Sequence, residues 1–299
     1  MNRSIWQNWQ LYALLILPVM FVAIFAYGPM YGLIIAFKKF SPVLGMWDSP
    51  WVGLKNFERF INYYGFWNIM KNTVVLSVYA IVAGFPLPIL LALGLNYVKN
   101  DLFKRSVQMI TYIPYFISVV VVVGMIHQFI NPRTGILGQL LHFIMGESVN
   151  ILLEPGSFMH IMVWSGIWQG VGFGSIIYMS VLAGISPELH EAAMIDGASK
   201  ARRMWHIDLP GIMPTAIIFL ILSVGGILNS GFEKILLLQN DINISASEVI
   251  DTYSYKVGLT GVIPDPSYAT AIGLFKSIIG FALLYAVNRL ARRFESSIW

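Results

Sequence analysis

The sequence predicts an all-α, polytopic membrane protein with six transmembrane helices, and three observations carry that prediction. Of 299 residues, 57% are hydrophobic and 11% charged. The mean hydropathy is +0.70, far too apolar for a soluble chain of this length. Six runs reach the roughly 20 apolar residues that a helix needs to cross the hydrocarbon core. Between two of those runs lies a polar stretch, 187–210, that must sit at a membrane surface.

The first run, 11–37, carries no charge, is longer than the apolar core of a signal peptide and has no small-residue cleavage site, so it reads as a first anchor. Pro18 and the pair Gly28-Pro29 make it irregular, as Pro86 and Pro88 do in the second run, 73–98. The runs 106–130, 158–185, 209–232 and 268–288 follow, each with glycine, proline or small polar residues that permit close packing or kinks in a membrane. No repeat, low-complexity tract or soluble second domain is evident, and 1–299 reads as a single membrane domain.

Orientation follows from cations near the span ends. Lys99, Lys104 and Arg105 fall in one short turn, Lys200, Arg202 and Arg203 in the polar stretch, and Arg289, Arg292 and Arg293 after the last run. Lys38, Lys39, Lys55, Arg59 and Lys71 flank the longer loop 38–72 on the opposite side. Short loops carry more weight, which places both termini in the cytoplasm. The outer loops 38–72, 131–157 and 231–267 are larger; the first holds Trp47, Trp51, Trp67, Tyr63 and Tyr64, residue types favoured at the membrane interface. They either close the bundle or offer a docking surface to an extracytoplasmic partner. The formal charge of +4 does not point to nucleic acid, because the cations are scattered over short loops without a basic patch. Absence of cysteine excludes disulfides and thiolate metal sites.

Within 187–210, Pro187 and Glu188 suit the first turn of a helix, where a missing N–H is harmless and a negative charge meets the positive end of the dipole. Ala192 and Ala193 favour helix without bulk, so another surface can approach closely. Gly197 tolerates left-handed dihedrals and predicts a corner between two short helices. Pro210 is expected to restart the chain as the next span.

Glu191-Ala192-Ala193, Asp196-Gly197-Ala198, Ile207, Leu209 and Pro210 stand at the spacing of the EAA loop and resemble permease subunits of binding-protein-dependent ABC importers. The resemblance implies a type I ABC importer permease fold in the cell (inner) membrane. It also implies that the loop is a coupling helix docking on a separate ATPase, with Glu191 as anchor and Gly197 as corner. Asn72-Thr73, the run 112–118, Gly231-Phe232-Glu233, the run 250–253 and Val257-Gly258-Leu259 are similar to LplB-type polysaccharide permeases, so the likeness covers essentially the whole chain. Arg202 and Arg203 make this loop more basic than in maltose-type permeases. The implied partners are a second homologous permease, an ABC ATPase dimer, an extracytoplasmic solute-binding protein, an oligosaccharide and membrane lipid. ATP and Mg would be handled by the ATPase, with no cofactor on this chain.

No enzyme site is visible. A phosphate-cradling loop needs lysine directly after glycine, and that dipeptide is absent. His190-Glu191-Ala192-Ala193-Met194 misses the zinc-protease pattern because Met194 occupies the second ligand position. Gly170, Gly172 and Gly174 lie inside a hydrophobic run and not at a strand-to-helix turn. A secondary transporter would be expected to place carboxylates within the spans, and the runs contain no Asp or Glu except Glu233, at an edge.

A sugar pathway calls for aromatic faces with amides and hydroxyls. The fourth run offers Trp164, Trp168, Gln169 and Phe173, the two tryptophans four apart on one face; the fifth offers Ser223, Asn229 and Ser230. Resemblance to maltose-type permeases implies substrate-lining positions at Gly166, Gln169, Gly170 and Phe173 and at Ser223, Gly226 and Ser230; plain helix packing is the alternative for each. Lys276 is the one cation within a run. Charge at such depth faces a cavity or partner, or snorkels outward; Glu233 is a candidate partner.

Overall fold

A computed structural model describes residues 9–145 and 150–291. Arg292, Arg293 and the N-terminal tail lie outside the described residues. The described chain is helical, with only isolated bridges such as Lys38 to Trp51 and no strand. The main helices are α1 (Trp9–Phe37) and α2 (Phe66–Asn96), α3 (Asp101–Phe116) and α4 (Val119–Ile130), and α5 (Pro155–Ala183). After them come α6 (Pro187–Ile195), α7 (Lys200–Gly225), α8 (Phe232–Leu238) and α9 (Pro266–Ala291). Among the described residues α1, α2, α5, α7 and α9 are long and apolar enough to cross a membrane, and the bent pair α3–α4 makes a sixth if it is one span. The chain divides into two compact units, one of residues 9–64 with 254–275, the other of 65–253 with 276–291.

In the first unit α1 buries almost nothing and exposes Leu14, Leu17, Phe21 and Phe25. A helix apolar all round and unburied needs lipid or another protein against it. At Gly28-Pro29 it passes from a π turn, Ala23–Tyr27, into a 3-10 segment. Lys38 is drawn into the following loop, its Nζ donating to the carbonyls of Met46 at 3.0 Å and Trp47 at 2.7 Å. Phe60 is buried edge-on against Tyr268 and Phe275, and Arg59 bridges to Asp265 at 2.7 Å while lying over the Tyr268 ring.

The second unit is built around α5, which packs on α2, α3 and α7. Leu76, Val123, Met162, Ile235 and Val249 form one core cluster; Ile89, Leu93, Tyr178, Leu182 and Ile212 form another. Gly172 lets α3 cross α5 closely: a Cβ there would lie 2.1 Å from the Thr111 carbonyl oxygen. The segment after α8 is tied to α2 by side-chain bonds, Asn72 Nδ2 donating to the Ser245 carbonyl at 2.9 Å and the Ile250 N–H to Thr73 Oγ1 at 3.0 Å.

Two boundaries differ from the sequence reading. The run 106–130 is bent by 104° between α3 and α4. Pro114 removes an N–H, Ile117 and Ser118 are extended, and Ser118 Oγ caps α4 by accepting from the Val121 N–H at 3.4 Å. The fifth span also begins and ends earlier than 209–232. Pro210 does not start it: the helix opens at Lys200 and runs through the π turn Met204–Asp208 into the α-helical part, Leu209–Gly225, whose first turn holds Pro210. It stops at Gly225, and Gly231, at φ 79°, opens α8.

Candidate functional site

The predicted coupling loop is a capped helix held outside the apolar core. Ser186 caps α6 by accepting from the Glu188 N–H at 3.3 Å, with Pro187 in the first turn. At its other end the Ala198 N–H donates to the Ala193 carbonyl at 2.8 Å and the Gly197 N–H to Met194 at 3.0 Å. Gly197 has φ 75°, so this is the left-handed stop that glycine permits without a Cβ penalty. Glu191, Ala192, Asp196 and Gly197 are exposed, and Ala193 and Ala198 half-buried. Beside them the apolar side chains of Leu189, Met194, Ile195 and Trp205 are exposed too, Ile195 by 87%.

The root of the loop is not exposed. Asp208 is fully buried. Its Oδ2 accepts from the Tyr97 hydroxyl at 2.6 Å, and its Oδ1 lies 3.2 Å from His190 Nε2 without forming a hydrogen bond. Burial, together with the bond to Asp208, pushes the Tyr97 phenol up to about 12, so Tyr97 stays a donor at neutral pH. The Arg203 guanidinium lies 5.9 Å from the Tyr97 ring centre.

The pathway candidates separate into several places. Gly166 and Gly170 share an open cleft of about 360 Å³ with Gly84 and Pro88 of α2 and with Ser230. Ser223, Gly226, Asn229 and Ser230 line a smaller cleft of about 130 Å³, where Ser230 Oγ is 3.4 Å from Ser77 Oγ. Trp164 and Trp168 line neither; they face α4 across an apolar groove of about 530 Å³. There the Trp164 indole donates to the Tyr79 hydroxyl at 2.9 Å, and that hydroxyl pairs with His160 Nδ1 at 2.9 Å. Gln169 and Phe173 hold the α3–α4 bend: Gln169 Nε2 donates to the Ile117 carbonyl at 3.0 Å, and Phe173 stacks on Tyr115 with ring centres 3.9 Å apart. A carbonyl freed by a break at membrane depth has to find such a partner.

Lys276 pairs with Asp251 at 2.5 Å, not with Glu233, which is exposed. Its stem lines a cleft of about 290 Å³ with Asn229, Gly225 and Gly280. Sequence reasoning missed Asp251, Asp208, Tyr97, Ser77 and Tyr79. Asp208 carried a usable signal, being a carboxylate directly before an uncharged run.

The comparisons with known proteins agree with this architecture. The sequence profile of the family described as binding-protein-dependent transport system inner membrane component matches residues 84–296. Protein LplB of Bacillus subtilis (strain 168) is 41% identical, covering 95% of this chain and 89% of its own. From the same strain, the polygalacturonan/rhamnogalacturonan transport system permease protein YteP is 40% identical, covering 96% and 89%. A chain in the crystal structure of a bacterial alginate ABC transporter in complex with alginate pentasaccharide-bound periplasmic protein superposes with a TM-score of 0.89 at 36% identity, over 99% of this chain and 98% of that one. The chain therefore belongs to the family of binding-protein-dependent transport system inner membrane components, as a non-enzymatic permease of the sugar ABC importers.

Proposed function

We propose that this chain forms half of the translocation pathway of an ATP-driven importer for oligosaccharides released from acidic polysaccharides. A second homologous permease supplies the other half, and an ABC ATPase dimer binds and hydrolyses ATP with Mg. An extracytoplasmic binding protein delivers the sugar. The observation that carries the coupling is α6: a capped helix between spans that exposes Leu189, Met194 and Ile195 beside Glu191 and Ala192. Exposed apolar side chains clustered on a polar loop are the mark of a protein interface. Closure of the ATPases on ATP would press the two coupling helices together and bias the permease between two states.

The substrate class rests on the relatives, two of which are named for polygalacturonan/rhamnogalacturonan and for the acidic polysaccharide alginate. Ser77, Ser223, Asn229 and Ser230, which line the smaller cleft, suit a hydroxyl-rich ligand. Both termini are assigned to the cytoplasm. In support, the Tyr97–Asp208 bond joins the turn before Lys99 to the base of the loop holding Lys200, Arg202 and Arg203, which puts two cationic clusters at one end of the second unit.

The test is purification from the native membrane in mild detergent, followed by ATPase assays with the binding protein and a panel of oligogalacturonides, alginate oligosaccharides and neutral maltooligosaccharides. Co-purification of a second permease and an ATPase, with hydrolysis stimulated by the acidic sugars, is expected. Transport by the chain alone on an ion gradient would overturn the importer reading, and stimulation by neutral sugars only would overturn the substrate class.

A further inference from the structure

Three elements meet at one buried carboxylate. Asp208 lies where the π turn of α7 gives way to the membrane span, Tyr97 is the first residue past α2, and His190 lies on α6 immediately before Glu191. Asp208 is fully buried, and its two oxygens face two different elements: Oδ2 takes the Tyr97 hydroxyl at 2.6 Å and Oδ1 faces His190 Nε2 at 3.2 Å. Arg203, reaching toward the Tyr97 ring from the start of α7, adds positive charge on the same side. A carboxylate without water depends on such neighbours, because an oxygen deprived of its partner is left desolvated. Withdrawing α2 from α7 therefore leaves Oδ2 without its donor, and withdrawing α6 removes the imidazole that faces Oδ1 at 3.2 Å without a hydrogen bond. By contrast the Leu189, Met194 and Ile195 side chains of α6 are exposed.

We propose that Asp208 is a positioning residue that locks the coupling helix to the ends of two spans, so that a load on α6 moves α2 and α7 with it as one body. This rests on the reading that α6 docks on the ATPase. Side-chain packing alone would let a nine-residue helix on a glycine corner tilt under load without moving the spans; the shared carboxylate couples the tilt to both of them.

The test uses the assembled importer in proteoliposomes. The chain has no cysteine, so spin labels at Glu188→Cys on α6 and Lys99→Cys beyond α2, both exposed positions, report a single distance when the other subunits are also cysteine-free. With Asp208 intact that distance is expected to be the same in the nucleotide-free and ATP-bound importer. In Asp208→Ala and Tyr97→Phe it should change with ATP, and sugar taken up per ATP hydrolysed should fall about fivefold or more, the lower range of typical coupling between sites. Asp208→Asn keeps an acceptor for Tyr97 but loses the charge that His190 faces, and should behave like Asp208→Ala in both readouts. Should Asp208→Ala fail to assemble, Tyr97→Phe, which removes one oxygen, decides. A distance that shifts with ATP in the unmodified lock, or variants with unchanged distance and uptake per ATP, would overturn the lock. Failure of the ATPase to associate with the unmodified chain would overturn the docking reading and the lock together.

Discussion

Breaking the Lys276–Asp251 pair separates a pairing role from a free-cation role for the one charge inside a predicted span. The two groups are 2.5 Å apart and 18% and 21% exposed. At an effective dielectric of about 20 their attraction is roughly 6–7 kcal/mol before the desolvation of either is counted. Removing one partner of a buried pair typically costs about 3–5 kcal/mol, whereas replacing both by apolar groups of similar volume is close to neutral. The residual exposure discounts this, so each of Lys276→Met and Asp251→Leu is expected to lose about 2–3 kcal/mol. The double variant Lys276→Met/Asp251→Leu should regain most of that loss. Denaturation of the detergent-purified chain, read as a double-mutant cycle, measures the coupling. Additive losses with no recovery in the double variant would refute the pairing, as would a Lys276→Met chain as stable as the unmodified one.

Two further outcomes follow from burial. Gly172→Ala places a Cβ 2.1 Å from the Thr111 carbonyl and should destabilise the second unit by about 1–3 kcal/mol, while Gly166→Ala, with nothing within 4 Å of its Cβ, should leave thermal stability unchanged. Lys234 is buried with no partner on its Nζ, and burial lowers it to about 8. Its folded value lies below the unfolded one, so the unfolded chain binds more protons in between, and stability should rise as pH climbs from about 8 toward 10.5. Lys234→Met should flatten that rise and raise the melting temperature at pH 7; an unchanged pH profile would count against the buried ammonium.

Much of this fold is legible in the sequence because the bilayer imposes a simple rule: an uncharged run of about 20 residues must be helical if it crosses. The helix 187–195 and its corner are legible for a different reason, since a first-turn proline and a left-handed glycine are local and act within a few residues. What hydropathy does not carry is which face of a span looks where. Trp164 and Trp168 share a face, as their spacing predicts, but that face lines the groove beside α4, while Gly166 and Gly170 line a separate cleft beside α2. The 104° bend is hidden inside an unbroken apolar run. Proline in a membrane helix is often tolerated, and what holds this break is a bond from Gln169, some fifty positions away. Glu233 is the candidate partner that charge counting offers Lys276; its partner Asp251 comes from the segment between α8 and α9, a tertiary fact that charge counting along the chain does not contain.

The account stands most directly on the corner at Gly197. Its φ of 75° is open to glycine and closed to proline, so Gly197→Pro should break the α6 stop while leaving the spans inserted. In proteoliposomes holding the whole importer, with sugar uptake and ATP hydrolysis measured in the same preparation, this variant is predicted to hydrolyse ATP without importing sugar. Uptake per ATP equal to that of the unmodified importer would contradict the assignment of 187–198 as the coupling element.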